Sequence, residues 1–306
     1  MLQSIPQICH DPLETFLKEN LLLVESHLDT LVAEQATPYA HLFQAARYSL
    51  LGGGKRIRPL LTLAVARVLQ GQCEAALQPA CALELIHTYS MIHDDLPAMD
   101  DDDFRRGKPA LHKAFPEGHA ILTGDFLLTY AFEILTSAPH LTATQIVELT
   151  ALLAKSAGGH GMIAGQIMDI SAENQVINLE EVTHIHQTKT GALIACAVEF
   201  GAIIAGCAPS ERLLLKQFGE NIGLAFQILD DVLDVTSSYL KHGQAISSDL
   251  KNKKSTYATL LGVAKAQEIA QMHMDAAFEK LACLPLNTDL LQLLAKKICP
   301  AQHTPC

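Results

Sequence analysis

The chain has 306 residues, 49% of them apolar, and its 22 Lys plus Arg against 33 Asp plus Glu leave a formal net charge of −11. That apolar content excludes an intrinsically disordered chain, and the negative balance argues against a nucleic-acid groove. Eight cysteines occur without any C-x-x-C pair, so reduced thiols of a cytoplasmic protein are expected rather than a zinc ribbon or a disulfide framework.

Helical periodicity recurs along the whole chain and alternating β-branched runs are nearly absent, which predicts an all-α fold in one domain, 1–306. The first fourteen residues show no basic stretch leading into an apolar run and do not read as a secretory signal. Asp11-Pro12-Leu13-Glu14 combines a cap, a first-turn proline and a capping-box glutamate ahead of an amphipathic run toward Ala33. Further helices are predicted near 39–51, 57–70, 74–96, 119–137, 142–157, 180–206, 255–283 and 287–298. From Gly191 to Pro209 the chain is apolar enough to cross a bilayer, but Glu199 interrupts it, and a buried core helix is the preferred reading. Ser210 is the expected cap of a helix whose buried face is marked by Leu214, Phe218, Ile222, Phe226, Leu229 and Leu233. The polar stretch 237–254 reads as a mobile loop.

Two acidic clusters carry the chemistry. Asp94, Asp95, Asp100, Asp101, Asp102 and Asp103 fall within ten positions, and Asp230, Asp231 and Asp234 end the apolar face just described. Neighbouring carboxylates repel by about 1 kcal/mol in water and about 4 kcal/mol at an effective dielectric of 20, so divalent cations are the natural remedy. Asp230 and Asp234 share a helix face, whereas Asp94 and Asp100 would lie about 240° apart on a straight helix. Pro97 should break that turn and allow Asp100 to return beside Asp94. A solvated acidic helix end is the competing account for either cluster alone. No EF-hand is indicated, because the loop glycine and terminal glutamate are missing. Carboxylates with few nitrogen ligands suit Mg²⁺, whose remaining shell comes from water and phosphate, so a diphosphate substrate is expected. Gly52-Gly53-Gly54-Lys55-Arg56-Ile57-Arg58-Pro59 and Arg105-Arg106-Gly107 supply cations for it. Neither GGGK nor Lys254-Ser255-Thr256 forms a Walker A loop.

On GGGKRIRP (52–59), the acidic segment 84–112, GMIAGQIMDI (161–170), KTGALI (189–194), FQILDDVLD (226–234) and KKSTYATLLG (253–262), the chain resembles the trans-isoprenyl diphosphate synthases, above all the bacterial farnesyl diphosphate synthases. The resemblance implies a helical bundle around a deep cavity, a homodimer, and three Mg²⁺ ions, with Mn²⁺ as a substitute, between the aspartate motifs. It implies that Asp94, Asp100 and Asp230 bind the allylic diphosphate through metal, with Asp95, Asp231 and Asp234 supporting. Lys55, Arg58, His87 and Arg106 match ligands of isopentenyl diphosphate; Arg105, Lys189 and Lys254 match contacts to the allylic diphosphate; Thr190 and Gln227 match residues whose oxygens face the carbocation. Tyr89 and Ser90, about one turn before Asp94, would floor the pocket and set a fifteen-carbon product. No membrane span and no nucleic-acid partner are implied. Two departures, Gln244 and Lys253, predict weaker binding of the allylic substrate, and the tail after Pro300 lacks the basic end that helps closure in many relatives. The rival readings are a synthase of geranyl or geranylgeranyl diphosphate, a catalytically weak regulatory subunit, a class I terpene cyclase, for which DDVLD fits poorly, and a metal phosphohydrolase built on His93-Asp94.

Overall fold

Two helices without a polar face organise the molecule. The computed structural model describes residues 11–240, the last four by backbone alone, and 254–300. Helix α4 (Cys73–Asp94) is buried on nearly all sides between Ala75 and Ile92, and α10 (Ala192–Ala205) is buried at every residue from Leu193 to Ile204. Such helices can only be central, and the amphipathic ones surround them. Helix α1 (Pro12–Leu31), α2 (Ala40–Leu50), α3 (Ile57–Val68), a short α5 (Leu111–Ala114), α6 (Glu117–Thr136), α7 (Ala143–Ala157), α8 (Met162–Ser171) and α9 (Leu179–His186) precede α10. Helix α11 (Pro209–Leu240), α12 (Tyr257–Leu261), α13 (Val263–Ala282) and α14 (Asp289–Ile298) follow it. Most buried side chains form one large core, while Val182, Leu224, Ile228, Val232, Tyr257 and Ala266 form a smaller one. The all-α class is as expected.

The segment Leu179–Ala205 has the length and hydropathy of a membrane span, but 72% of its apolar window is buried inside the protein. Glu199 is tolerated there because its carboxylate accepts from Arg212 Nε at 3.1 Å. The six cysteines among the described residues are all unpaired.

Local details depart from the sequence reading. Asp11 does cap α1, accepting from Leu13 N at 2.9 Å, but Glu14 leaves the expected capping box for Lys297, 3.2 Å away. The long helix begins at Pro209 rather than under a Ser210 cap, because a proline costs nothing at a first position whose N–H is unused, and Glu211 reaches back to Ala208 N at 2.9 Å. Leu233, expected in the core, is 47% exposed. Helix α11 runs through to Leu240, so 237–240 are helical where a loop was expected, and positions 241–253, with Gln244 and Lys253, lie outside the described residues. The tail 301–306 lies outside them as well. The helix expected over 255–283 breaks at Gly262 into two. Helix α8 was not anticipated at all.

Candidate active site

Helix α4 ends at Asp94, and the chain then turns through Pro97 until Asp100 N donates to Asp94 O at 2.9 Å, bringing the two aspartates together as the proline predicts. The adjacent Asp95 points elsewhere, since successive residues on a helix are roughly 100° apart. Its buried carboxylate accepts from Arg105 Nε at 2.8 Å and from the same guanidinium's Nη2, which also reaches Asp102 at 3.5 Å. Arg105 is presented by a two-residue hairpin, Phe104–Arg105 paired antiparallel with Lys108–Pro109. Arg106 and Gly107, both at positive φ, make its turn. That turn aims Arg106 at the glycine loop, where its Nη1 donates to Gly53 O.

Arg58, His87 and Arg106 form a basic cluster. Burial pushes the guanidinium of Arg58 below its ordinary value, and the Arg58 Nε is enclosed without a hydrogen-bond partner. His87 is held well below the usual imidazole range by burial first and by Arg58, Arg106 and Arg105 in turn. Arg106 disfavours the charge of Arg58, and both disfavour a proton on His87, so the cluster carries a positive surplus of the right sign for a phosphate. Lys55 stands exposed at the rim of the same loop, whereas Arg56 is drawn inward to Glu25 and Glu84. Because the folded His87 stays neutral, the unfolded chain binds a proton first as pH falls. Stability is therefore complete above about pH 6.5 and is lost below it. The variant His87→Gln should lose stability less steeply than the wild type between about pH 6.5 and 5, measured by urea unfolding.

Asp94 opens onto a cavity of about 460 Å³ whose wall includes Arg58, His87, Tyr89, Ser90, Lys189 and Thr190 together with the apolar Leu128, Met162, Ile163 and Ile170. Burial pushes the Asp94 carboxyl up to about 6; Lys189 opposes that shift and Asp100 adds to it. Ser90 Oγ donates to His87 O at 3.0 Å, and the Tyr89 ring lies buried, edge-on to His93 at 5.8 Å. His93 also lines this cavity, with its Nε2 donating to Ile121 O at 3.0 Å, and a Cβ at Gly124 would sit 2.1 Å from that nitrogen.

Lys189 and Thr190 occupy a π-turn, Gln187–Gly191, that widens the junction of α9 and α10, a type of irregularity frequent at functional sites. Neither the turn nor Asp169 was anticipated. Asp169, on α8, accepts from Lys189 Nζ at 2.7 Å and Lys254 Nζ at 2.9 Å. Burial alone would raise its carboxyl, but the two ammonium groups outweigh that and hold it below the usual carboxylate range. Lys254 lies also 3.7 Å from Asp100, tying the first acidic turn to the strand of chain before α12. A second, smaller cavity adjoins, sharing Lys189 and Thr190 with the first and adding Asp169, Gln227, Asp231 and Lys254. Thr190 Oγ1 donates to Gln227 Oε1 at 2.8 Å. Asp231 is buried and occupied, accepting from His186 Nε2 at 2.8 Å and Tyr257 N at 3.0 Å. Asp230 is exposed on α11 and Asp234 half-buried one turn on.

The donors suit a hard cation: all are carboxylate oxygens, and the Asp100 Oδ1 is enclosed without a hydrogen bond. Among the described residues no group of three His, Cys, Asp or Glu side chains converges to hold an ion alone, so phosphate oxygens and water would finish any shell.

A family model described as polyprenyl synthetase matches residues 39–283. The chain belongs to the polyprenyl synthetase family. It is 42% identical over 292 residues to the farnesyl diphosphate synthase of Geobacillus stearothermophilus, covering 95% of this chain and 98% of that one. It is 44% identical over 269 residues to the geranylgeranyl diphosphate synthase of Cyanophora paradoxa, covering 87% and 89%. Among solved structures, the geranyltransferase of Helicobacter pylori complexed with magnesium and isoprenyl diphosphate superposes with a TM-score of 0.82 at 36% identity, over 95% of this chain and 98% of that one. This polyprenyl synthetase therefore has the fold that the six sequence landmarks implied.

Proposed function

We propose that the chain, as a single synthase domain, condenses isopentenyl diphosphate head-to-tail with dimethylallyl or geranyl diphosphate to give farnesyl diphosphate. One observation carries the reading: a single cavity is lined by the basic pair Arg58 and His87, by Asp94, Lys189 and Thr190, and by apolar side chains that include Ile167 and Ile170 beside the Tyr89 ring. Two anionic heads and one greasy tail fit that set. Isopentenyl diphosphate would be held by Lys55, Arg58, His87 and Arg106. Lys189 and Lys254, released from Asp169, would meet the allylic diphosphate.

Magnesium, when bound, neutralises the charge that gathers on the departing diphosphate; Asp94, Asp100 and Asp230 would hold it, with Asp234 beside them. Asp95 and Asp231 support from behind, the first by fixing Arg105 and the second by fixing His186 and Tyr257 N. The count of three ions belongs to the same proposal. Ionisation needs no protein nucleophile. The isopentenyl double bond attacks the allylic cation, the proton lost goes to diphosphate, and Met162, Ile163 and Ile170 keep water from quenching the cation.

The buried Tyr89 ring closes the tail pocket, and this favours a fifteen-carbon product over the longer chain named for the Cyanophora relative. Tyr89→Ala is expected to shift the product toward twenty carbons, read by chromatography of the dephosphorylated prenols; an unchanged spectrum rejects that floor. We place the enzyme in the cytoplasm as a homodimer, for which exposed Ile121 and Leu122 on α6 supply an apolar face. The function is tested by incubating the protein with Mg²⁺, dimethylallyl diphosphate and labelled isopentenyl diphosphate. A condensed prenyl diphosphate is expected; a cyclised hydrocarbon, free phosphate alone or no product rejects it.

A further inference from the structure

Gln166, on α8, is enclosed in the wall of the 460 Å³ cavity with neither of its amide atoms satisfied: both Nε2 and Oε1 are buried without a hydrogen-bond partner. Met162, Ile163 and Ile170, on the same helix and the same wall, have side chains that cannot bond it. An unsatisfied buried amide is a standing penalty that a leucine would not incur, and a polar group bound in the cavity would relieve it.

The preceding residue, Gly165, packs so closely on the π-turn that a Cβ there would lie 2.2 Å from Lys189 N, and Gln166 lines the same cavity as Lys189 and Thr190. Three residues on, Asp169 gathers the Nζ atoms of Lys189 and Lys254. The amide thus shares its cavity with Lys189, which would meet a diphosphate, and with apolar side chains that would take a tail. The carbon–oxygen bond of an allylic diphosphate would break between those two. Meanwhile the Thr190 hydroxyl hydrogen is already committed to Gln227 Oε1.

Resting on the function proposed above, we propose that Gln166 is a further catalytic residue: its Oε1 faces the allylic cation and its Nε2 donates to the departing diphosphate. The C–O bond breaks with both electrons leaving on the diphosphate oxygen, the isopentenyl double bond forms the new C–C bond, and the released proton goes to diphosphate. Gln166 forms and breaks no covalent bond. A neutral amide is suited to this place, because its oxygen carries partial negative charge yet is a weak nucleophile, whereas a carboxylate there could trap the cation as an ester.

The test compares the wild type with Gln166→Leu and with Gln166→Met, which keeps the length of the side chain. Removing one preorganised dipole should lower kcat by about 10²-fold. The KM for geranyl diphosphate should move less than about threefold, since the interaction strengthens only as charge develops. Two probes isolate charge: an ammonium analogue of the cation and an uncleavable thiolodiphosphate of the same shape. In both variants the preference for the ammonium analogue should shrink at least tenfold, with the melting temperature unchanged or raised. An unchanged preference, or a loss shared equally by both probes, overturns the proposal. If wild-type protein makes no condensed product, the function itself fails, a result separate from an unaltered variant of an active enzyme.

Discussion

Asp94→Asn is expected to lower kcat by about 10³-fold or more, on the order of 4 kcal/mol of lost transition-state stabilisation. The amide keeps the size of the carboxylate, so the effect would come from charge alone. Asp94 lines the large cavity, and burial, with Asp100 adding to it and Lys189 opposing it, raises its carboxyl to about 6. Losing it removes the anchor at the point where negative charge accumulates on the leaving diphosphate. The comparison is Asp101→Asn in the same acidic turn, an exposed residue at φ 49, a backbone region that asparagine also tolerates. That variant should turn over like the wild type. Steady-state kinetics with geranyl and isopentenyl diphosphates check both. Equal activity in the two variants would show that acidity in general, rather than Asp94 in particular, is what matters, and would remove the basis of the proposed site. Chelation of magnesium should abolish turnover of the wild type and restore it on readdition.

The second large effect is on folding. Arg56→Met is expected to destabilise the protein by about 3–5 kcal/mol, the range for removing one partner of a buried ion pair. Arg56 is fully enclosed, with its Nε 2.7 Å from Glu25, its Nη1 2.8 Å from Glu84 and its Nη2 2.7 Å from Leu50 O. One guanidinium therefore joins α1, the end of α2 and the middle of α4. Without it, Glu84 is left as a buried charge without its partner cation. Scanning calorimetry should show a melting temperature lower by on the order of 10 °C. The pair Arg56→Met with Glu84→Leu should recover part of the loss, because apolar pairs replace buried ion pairs at little cost. No recovery would place the loss in the bonds from Arg56 to Glu25 and Leu50 O rather than in the pair with Glu84.

These cases show which parts of the molecule could be read from its residues. Asp94 and Asp100 were legible because Pro97 lies between them and a proline has a predictable effect on a helix. The burial of 192–205 was legible because a run with no polar face has nowhere else to go. The roles of Asp95 and Asp231 were not. Each is the second half of an Asp-Asp pair, and the partner that claims its carboxylate lies ten residues on in Arg105 or 45 residues back in His186. Nothing local encodes those distances. Asp169 and Gln166 escaped notice for a related reason: α8 is short and mixes glycine, apolar and polar residues without a clean period, so its facing could not be assigned before its neighbours were known. The fate of Arg56, adjacent to cations that face solvent or the basic cluster, was hidden in the same way.

The π-turn has one more implication. Its extra residue puts the winding of α9 and α10 out of step, and this lets a single rod serve two cores, with Val182 in the smaller and Leu193 and Ile194 in the larger. Excising one residue from 187–191 would restore ordinary winding and rotate one half against the other by roughly 100°. Either Val182 would leave its cluster or Lys189 and Thr190 would swing off the reaction centre. The splice that holds the two cores in register is also the mount for Lys189 and Thr190, so a change of length there cannot be absorbed by the scaffold and spare the chemistry proposed for them.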